Sequence, residues 1–460
     1  MNKIDLIPLN TLNYRMMVRE YNQYYSHFIF AKIFQHININ KKKNVKLDLS
    51  RAEIQKELKS SRENEYIYGM ISKNINFNCF LYKCGFDKKI FLSFFKEFKF
   101  INIPLKKKKI NLTNNINTEI RNIFFKKIIN KNKKGIENFL FQLSFFTFPK
   151  SFLENFDEIY QIANKINWPS KPKFILTSYG QYNDEFFKSY CAQKILSGAK
   201  LLIFQHGAGG IFADKEFYGQ RYDLNIAHKF YSWGKNRKEN SRSFFYNKKI
   251  ISQSVFKFSN KKKILVILYQ LNESVVFPPN GFLSRDAINR NTFTNFKTIR
   301  KNLRKKIFKN FKVRILDGSL NNKFKPLRQS IKKNFPDINF SNNNLIYNDI
   351  LKNYNLVLHF RVSTAFFESI FYNIPTILIL DKSSNINFDK KFSKVIGLMI
   401  KKNMVFLNLN LAKNFINENY FSINEWWNRE DLRKLRLILN ENYCRNFDKN
   451  KLDFKNLFQF

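Results

Sequence analysis

The 460-residue chain is short of cysteine, of acidic residues and of long uncharged apolar runs, and each shortage removes a class of protein. Its four cysteines, Cys79, Cys84, Cys191 and Cys444, follow no metal-ligand spacing, and the Cys79/Cys84 pair has no histidine nearby. They read as buried or incidental thiols in a reducing compartment, which argues against a disulfide framework or a zinc site. No stretch reaches the roughly 18 uncharged apolar residues of a membrane-spanning helix. The start, Met1-Asn2-Lys3-Ile4-Asp5, lacks the apolar core of a secretory signal. A cytoplasmic protein is expected, with peripheral contact at the inner membrane face as an option.

Acidic residues number 35 against 81 Lys and Arg, for a formal net charge of +46. Such a charge suits nucleic acid, because clustered lysines release counterions from phosphates. Here, however, lysine is spread along the whole chain among frequent Asn, Ile and Phe. Most of the excess therefore reads as solvated surface, with an anionic membrane surface as the second candidate and nucleic acid the third. No nucleic-acid partner is expected. At 44% hydrophobic content with 53 phenylalanines, the chain has ample material for two or three domains with real cores.

Residues 1–135 are the least legible. Aromatic segments such as Phe91-Leu92-Ser93-Phe94-Phe95 alternate with lysine runs, and the Glu-, Lys- and Leu-rich segment from Arg51 to Arg62 has helical composition. From Ile136 to Phe156 an apolar face recurs at helical spacing, interrupted by Pro149, and reads as a pair of core helices or as an interfacial face.

A regular pattern then begins. Lys173 to Thr177 predicts a strand, Asp184 to Ser197 a helix ended by Gly198, and Leu201 to Phe204 the next strand, together a βαβ unit of a parallel sheet. The basic stretch Lys235 to Asn260 reads as an inter-domain connection. A second series follows: strands at Ile264–Tyr269, Val313–Leu316, Leu356–His359 and Thr376–Leu380, and helices at Phe296–Phe308, Lys323–Asn334, Ile346–Lys352 and Ala365–Tyr372. Two successive Rossmann-like halves are expected, residues 1–245 and residues 246–460, with a ligand cleft between them.

Three constellations carry chemistry. The strand ending at Phe204 breaks into Gln205-His206-Gly207 and then Gly209 and Gly210. Glycine lets backbone approach a ligand closely, and the crevice beyond the carboxyl ends of parallel strands is where such sheets bind ligands. A histidine there can take a proton from a substrate hydroxyl, or it can be bonded into a turn. In the second constellation, His359-Phe360-Arg361-Val362-Ser363-Thr364, Ser363 or Thr364 can cap the helix beginning at Ala365. That exposes unpaired N–H groups to a phosphate, and Arg361 adds a bidentate contact. Glu368, one turn on, can hold a ribose or sugar hydroxyl or lie as an ordinary surface Glu. The third is the polar loop from Tyr269 to Ser274, where Glu273 offers a carboxylate to the cleft or sits in a connecting turn. No Asp-x-Asp pair occurs, which argues against metal-bridged nucleotide-sugar chemistry.

The run from Lys171-Pro172-Lys173 through Thr177-Ser178, Asp184, Phe187-Lys188, Gly198, Gln205-His206-Gly207 and Ser232-Trp233-Gly234 resembles a family of transferases encoded in O-antigen and other surface-polysaccharide clusters. Phe148-Pro149, Phe152-Leu153-Glu154 and Trp426-Trp427 are similar to the same family. The resemblance spans roughly residues 136–432. It implies an α/β fold of GT-B type, two Rossmann-like domains facing across a cleft. More distantly, the His-Gly loop and the Ser/Thr-led helix are similar to polyol-phosphate polymerases of teichoic acid synthesis and to capsule sugar transferases.

The resemblance implies His206 as base and Ser363 and Thr364 at the donor phosphate, and the constellations themselves add Gln205, Gly207, Gly209, Gly210 and Glu273 around the substrate and Arg361 and Glu368 at the donor phosphate and nucleotide. Ala208 stands where the family has a second glycine, Gly210-Ile211 where it has Tyr-Gly, and His228 where it has an acid. The implied function is metal-independent transfer of a sugar from a nucleotide-activated donor, a substrate and not a cofactor, to a glycan or lipid-linked acceptor. The alternatives are polyol-phosphate transfer in the same cleft, a basic nucleic-acid-binding protein and a catalytically degenerate scaffold.

Overall fold

The computed structural model describes residues 67–72, 79–98, 100–105, 117–128, 150, 153–166, 168–208, 218–235, 241–246, 263–270, 285–317, 326–341, 347–380, 388–448 and 458. The expected helix at Arg51–Arg62 and most of the Ile136–Phe156 face lie outside these residues. The described residues divide into two compact units, one drawn from Met1–Cys84 and Phe95–Leu201, the other from Gly85–Phe94, Leu202–Glu273 and Phe277–Phe460.

In the first unit, β1 (Ile67–Ser72) pairs antiparallel with β2 (Cys79–Tyr82) and, across helix α1 (Lys88–Phe98), with β3 (Phe100–Leu105). After α2 (Thr118–Ile128) and α3 (Phe156–Lys165), β4 (Phe174–Thr177) runs parallel to β2. A short α4 (Gly180–Asn183) leads into α5 (Glu185–Leu196) and then β5 (Lys200–Phe204), the expected strand, helix, strand succession, with β5 from Leu202 onward belonging to the second unit. Asp184 Oδ1 caps α5 by accepting the Phe187 N–H at 3.1 Å. Gly198, at φ +97°, ends it in a conformation that L side chains rarely adopt. Phe80, Tyr82, Trp168, Phe187 and Tyr190 form the aromatic core of this unit. Arg121 and Glu154 form an ion pair almost wholly removed from solvent.

In the second unit, α6 (Tyr218–Ile226) precedes β6 (Lys229–Ser232), which runs parallel to both β5 and β7 (Ser241–Ser243). The stretch read as a connection thus contributes a strand, and the residues after it are buried, Phe244 packing on Phe204 and Phe245, and Tyr246 on Trp233 and Phe371. A six-stranded parallel sheet follows. It consists of β8 (Ile264–Gln270), β9 (Phe311–Asp317), β10 (Asn339–Phe340), β11 (Leu356–His359), β12 (Thr376–Ile379) and β13 (Val405–Phe406), in the order β10-β9-β8-β11-β12-β13. Counted from β8 this is 3-2-1-4-5-6, the Rossmann order, whose direction reverses between β8 and β11. Ile264 to Leu268 and Leu356 to His359 are buried without a break, as expected for strands covered on both faces.

The helices of this unit are α7 (Arg285–Asn302), α8 (Lys305–Phe308), α9 (Pro326–Asn334), α10 (Tyr347–Leu351), α11 (Thr364–Phe371), α12 (Lys390–Lys401), α13 (Leu409–Asn419), α14 (Ile423–Asn428) and α15 (Glu430–Tyr443). The helix expected at Phe296–Phe308 starts eleven residues earlier, at Arg285, and breaks before Lys305. Its first half is too polar to show an apolar face. Pro326 opens α9, where its missing N–H costs nothing. The four helices from α12 onward had no counterpart in the expected pattern, although Phe392, Ile396 and Met399 recur there at helical spacing and are buried.

Candidate functional site

The switch point of the parallel sheet lies between the carboxyl ends of β8 and β11, and the second unit gathers its polar residues there. β11 ends at His359, and the chain continues through Phe360, Arg361 and Val362 into α11. Ser363 is the N-cap, its Oγ accepting the Phe366 N–H at 3.2 Å. Thr364 is the first helical residue. The Thr364 and Ala365 amides head the helix without intrahelical acceptors and carry the positive end of its dipole. Tyr269, from the end of β8, shares a hydrogen bond with Ser363, and burial pushes its phenol up to about 12.

Arg361 is half-buried, and among the described residues it forms no ion pair with a carboxylate. Burial lowers its pKa, and the Tyr269 phenol acts in the opposite direction. A guanidinium withdrawn from water beside a helix N-terminus is an environment suited to an anion.

The glycine loop after β5 reaches the same helix end. Ala208 N–H donates to Thr364 Oγ1 at 2.9 Å across 156 positions of sequence. A Cβ added at Gly207 would stand 3.3 Å from the same oxygen, so a side chain there would press on Thr364. His206 is exposed, immediately before this contact. Ala208, where the resembled family has glycine, is fully buried within the hydrophobic cluster of this unit, so its methyl group is absorbed by the core. His228, another departure, is half-buried, and Gly210-Ile211 lies outside the described residues.

Gln205 is 3% exposed. Its Oε1 accepts the Trp233 N–H at 2.8 Å, and its Nε2 donates to the Gly207 carbonyl at 2.8 Å. Both ends of its amide hold backbone, a role that the spacing of the motif does not reveal. Glu368 is buried and accepts the Tyr246 hydroxyl at 2.7 Å. Burial, with the Glu368 carboxylate second, drives the Tyr246 phenol far above its ordinary value. The expectation for Glu368 rested on its position one turn into α11. That helix is buried from Ala365 through Phe371, so its rotation was not legible from an apolar face. Gly209, Gly210 and Glu273 lie outside the described residues.

His359 is fully buried, its Nε2 3.0 Å from Ser369 Oγ, and burial lowers its pKa to about 3. It is neutral at physiological pH and belongs to the packing of β11 on α11. Ser232, Trp233 and Gly234 also hold the frame. Trp233 is fully buried, its carbonyl accepts the Arg445 N–H at 2.6 Å, and a side chain on Gly234 would overlap the Asn442 carbonyl. Tyr269 was within reach of sequence reasoning as the last aromatic residue of a strand at the switch point. Tyr246 carried no such signal. Among the described residues, no three His, Cys, Asp or Glu side chains gather as a metal-ligand set would.

Among solved structures, the chain is similar to spinosyn rhamnosyltransferase SpnG complexed with spinosyn aglycone, at 10% identity and TM-score 0.33 over 63% of this chain and 73% of that one. It is similar to MnaA of S. aureus in a co-structure with UDP, at 10% identity and TM-score 0.34 over 73% and 91%. It is also similar to the structure described as trehalose-6-phosphate from E. coli bound with UDP-2-fluoro glucose, at 9% identity and TM-score 0.39 over 66% and 77%. No curated protein matches the chain. The sequence profile of one family, by contrast, matches residues 2–458, nearly the whole length, and the chain therefore belongs to the LIC12162 family of transferases.

Proposed function

We propose that this transferase is a glycosyltransferase of GT-B type that moves a sugar from a nucleotide-activated donor to a glycan or lipid-linked acceptor in surface-polysaccharide assembly. The observation that carries the reading is the Ala208 to Thr364 hydrogen bond, which joins the histidine loop to the N-terminus of α11 within one compact unit. It supports the reading by bringing the loop that carries His206 to the helix end that follows Arg361 and Ser363, at the switch point of a Rossmann-ordered sheet.

In this reading His206 accepts the proton of the acceptor hydroxyl as its oxygen attacks the anomeric carbon, a contribution of roughly 10²–10⁴-fold in rate. The bond from that carbon to the diphosphate breaks, and the charge left on the departing nucleotide falls to Arg361 and the amides of Thr364 and Ala365. The Ser363 and Thr364 hydroxyls serve from behind, one capping the helix and the other holding the loop. The reaction as written needs no metal. The basic surface attracts an anionic donor and suits work beside an anionic membrane. No described helix is long and apolar enough to cross a membrane.

A thermal-shift screen of the full chain against nucleotides and nucleotide sugars tests the donor assignment, since a ligand that binds only the folded form raises the melting temperature. His206→Ala should keep the shift given by the best donor and lose transfer. Unaltered turnover in that variant would remove His206 from the base role, and no shift with any nucleotide would count against the donor assignment.

A further inference from the structure

The peptide group between Gly207 and Ala208, one residue beyond His206, is gripped at both poles. Its carbonyl, on Gly207, accepts from Gln205 Nε2 at 2.8 Å, and its N–H, on Ala208, donates to Thr364 Oγ1 at 2.9 Å. Gln205 is anchored in turn, through Oε1 to the Trp233 N–H at 2.8 Å and through its own N–H to the Tyr231 carbonyl at 2.9 Å. The sequence makes such a grip necessary. A side chain at Gly207 would crowd Thr364, while glycine there leaves the backbone the widest choice of conformation, and His206 beside it is exposed. Two hydrogen bonds on opposite poles of one peptide plane remove the rotation that glycine would otherwise allow.

We infer that Gln205 and Thr364 are positioning residues: together they lock the Gly207–Ala208 peptide and thereby aim the His206 imidazole at the acceptor. Gln205 then acts without touching substrate. Thr364 belongs to both halves of the reaction, as the first residue of α11 and as the acceptor that holds the loop. The inference rests on the transferase reading for what is aimed, and on the hydrogen bonds alone for the lock. A misplacement of about 1 Å can cost on the order of 10²-fold in rate, so the consequence of releasing the plane falls on turnover.

The test uses three substitutions in the full chain. Thr364→Val keeps shape and removes the oxygen that accepts the Ala208 N–H. Thr364→Ser restores it. Gln205→Glu keeps an acceptor for Trp233 but has no proton for the Gly207 carbonyl. Hydrogen exchange at the Ala208 amide reads the lock, and the Cε1–H resonance of His206 reads the imidazole in a chain with only five histidines. Nucleotide release from UDP-glucose, UDP-N-acetylglucosamine and GDP-mannose, with water as acceptor, reads turnover.

Thr364→Val should speed Ala208 exchange about five- to tenfold, the worth of one hydrogen bond. It should also move or broaden the His206 resonance and lower kcat about 10–100-fold, with KM for the donor within about twofold. Thr364→Ser should behave as wild type in every readout. If Gln205→Glu fails to fold, the Thr364 pair decides alone. Unchanged kcat in Thr364→Val, an effect confined to KM, or a Ser variant as damaged as the Val variant would each overturn the positioning role. An Ala208 amide that exchanges freely in the wild type would overturn the lock. If exchange behaves as expected but the wild type releases no nucleotide from any of the three donors, the nucleotide-sugar assignment is what falls.

Discussion

Replacing Arg121 with Met should unseat the first unit. Arg121 is fully buried, and its guanidinium donates from Nε to Glu154 Oε1 at 2.6 Å and from Nη2 to Oε2 at 3.0 Å. Glu154 Oε1 also accepts the Asn117 N–H at 3.1 Å at the start of α2, so one carboxylate ties together two segments 37 positions apart. Methionine preserves the length of the side chain and removes every donor. The carboxylate then keeps the backbone N–H groups of Asn117 and of Glu154 itself but loses its countercharge, and breaking one side of such a pair costs about 3–5 kcal/mol. Removing both partners in Arg121→Met/Glu154→Met should cost less than either single change, because no uncompensated charge remains.

The sign with pH follows from Glu154. Burial by itself raises its pKa, but the Arg121 hydrogen bonds and charge outweigh burial and leave it below the ordinary glutamate value. The pair therefore stabilises fully above the unfolded glutamate pKa of about 4.3, and its contribution fades as pH falls through the lower folded value. Urea unfolding followed by circular dichroism, with hydrogen exchange of peptides from α2, measures the effect. A midpoint shift of about 1 M is expected for Arg121→Met. A loss below about 1 kcal/mol, or a double variant worse than both singles, would refute the account of an obligate buried pair.

Three further outcomes are expected. Gly234→Ala should destabilise the second unit by about 1–3 kcal/mol or more in a thermal melt, because the added methyl group overlaps the Asn442 carbonyl and pushes β6 away from α15. His359 resists protonation until about pH 3, whereas an unfolded histidine binds its proton near 6.5. Its contribution is thus complete above 6.5 and declines by about 1.4 kcal/mol per pH unit as pH falls toward 3, and His359→Gln should flatten that acid limb in urea titrations at successive pH values. Arg361→Gln should weaken binding of UDP by about 10–100-fold in calorimetry, the worth of a charge-assisted contact, with Arg361→Lys recovering part of it. Equal affinity in all three proteins would remove Arg361 from the anion site.

The parallel strands were legible because each is a short continuous apolar run bounded by Gly, Pro or a polar turn. Leu356–His359 is found as read, and the strands expected after Pro172 and Pro375 begin within a residue or two of their predicted starts. The two halves of the site were legible for a different reason: a histidine between Gln and Gly after a strand, and a Ser-Thr pair ahead of an apolar helix, are local patterns. Their meeting was expected from the two-halves layout and the family resemblance, but the bond that makes it was not legible, since nothing in periodicity records which oxygen an amide 156 positions away will find.

Several residues that carry the family resemblance turn out to hold the frame. Glu154 pairs with Arg121, Gly234 admits the end of α15, and Trp427 donates from Nε1 to Asn373 Oδ1 at 3.0 Å, with Arg436 stacked over its ring. A motif can mark a family by its core as readily as by its chemistry. Residues 1–135 stayed obscure because strands and helices there are both built from the same Phe, Ile and Lys, so composition does not separate the two periods.

The corner at Trp233 has a bearing on how the chain is born. Lys235 donates to the Glu441 carbonyl, Arg445 to the Trp233 carbonyl and Tyr246 to the Arg445 carbonyl, so a bend made midway through synthesis waits for partners made near its close. Until the ribosome has delivered Glu441 and Arg445, the bend at Trp233 to Lys235 lacks these backbone partners and offers the Trp233 indole to whatever is near. A nascent chain halted between these two points should therefore be a strong client for chaperones, and completing the last helix should release it.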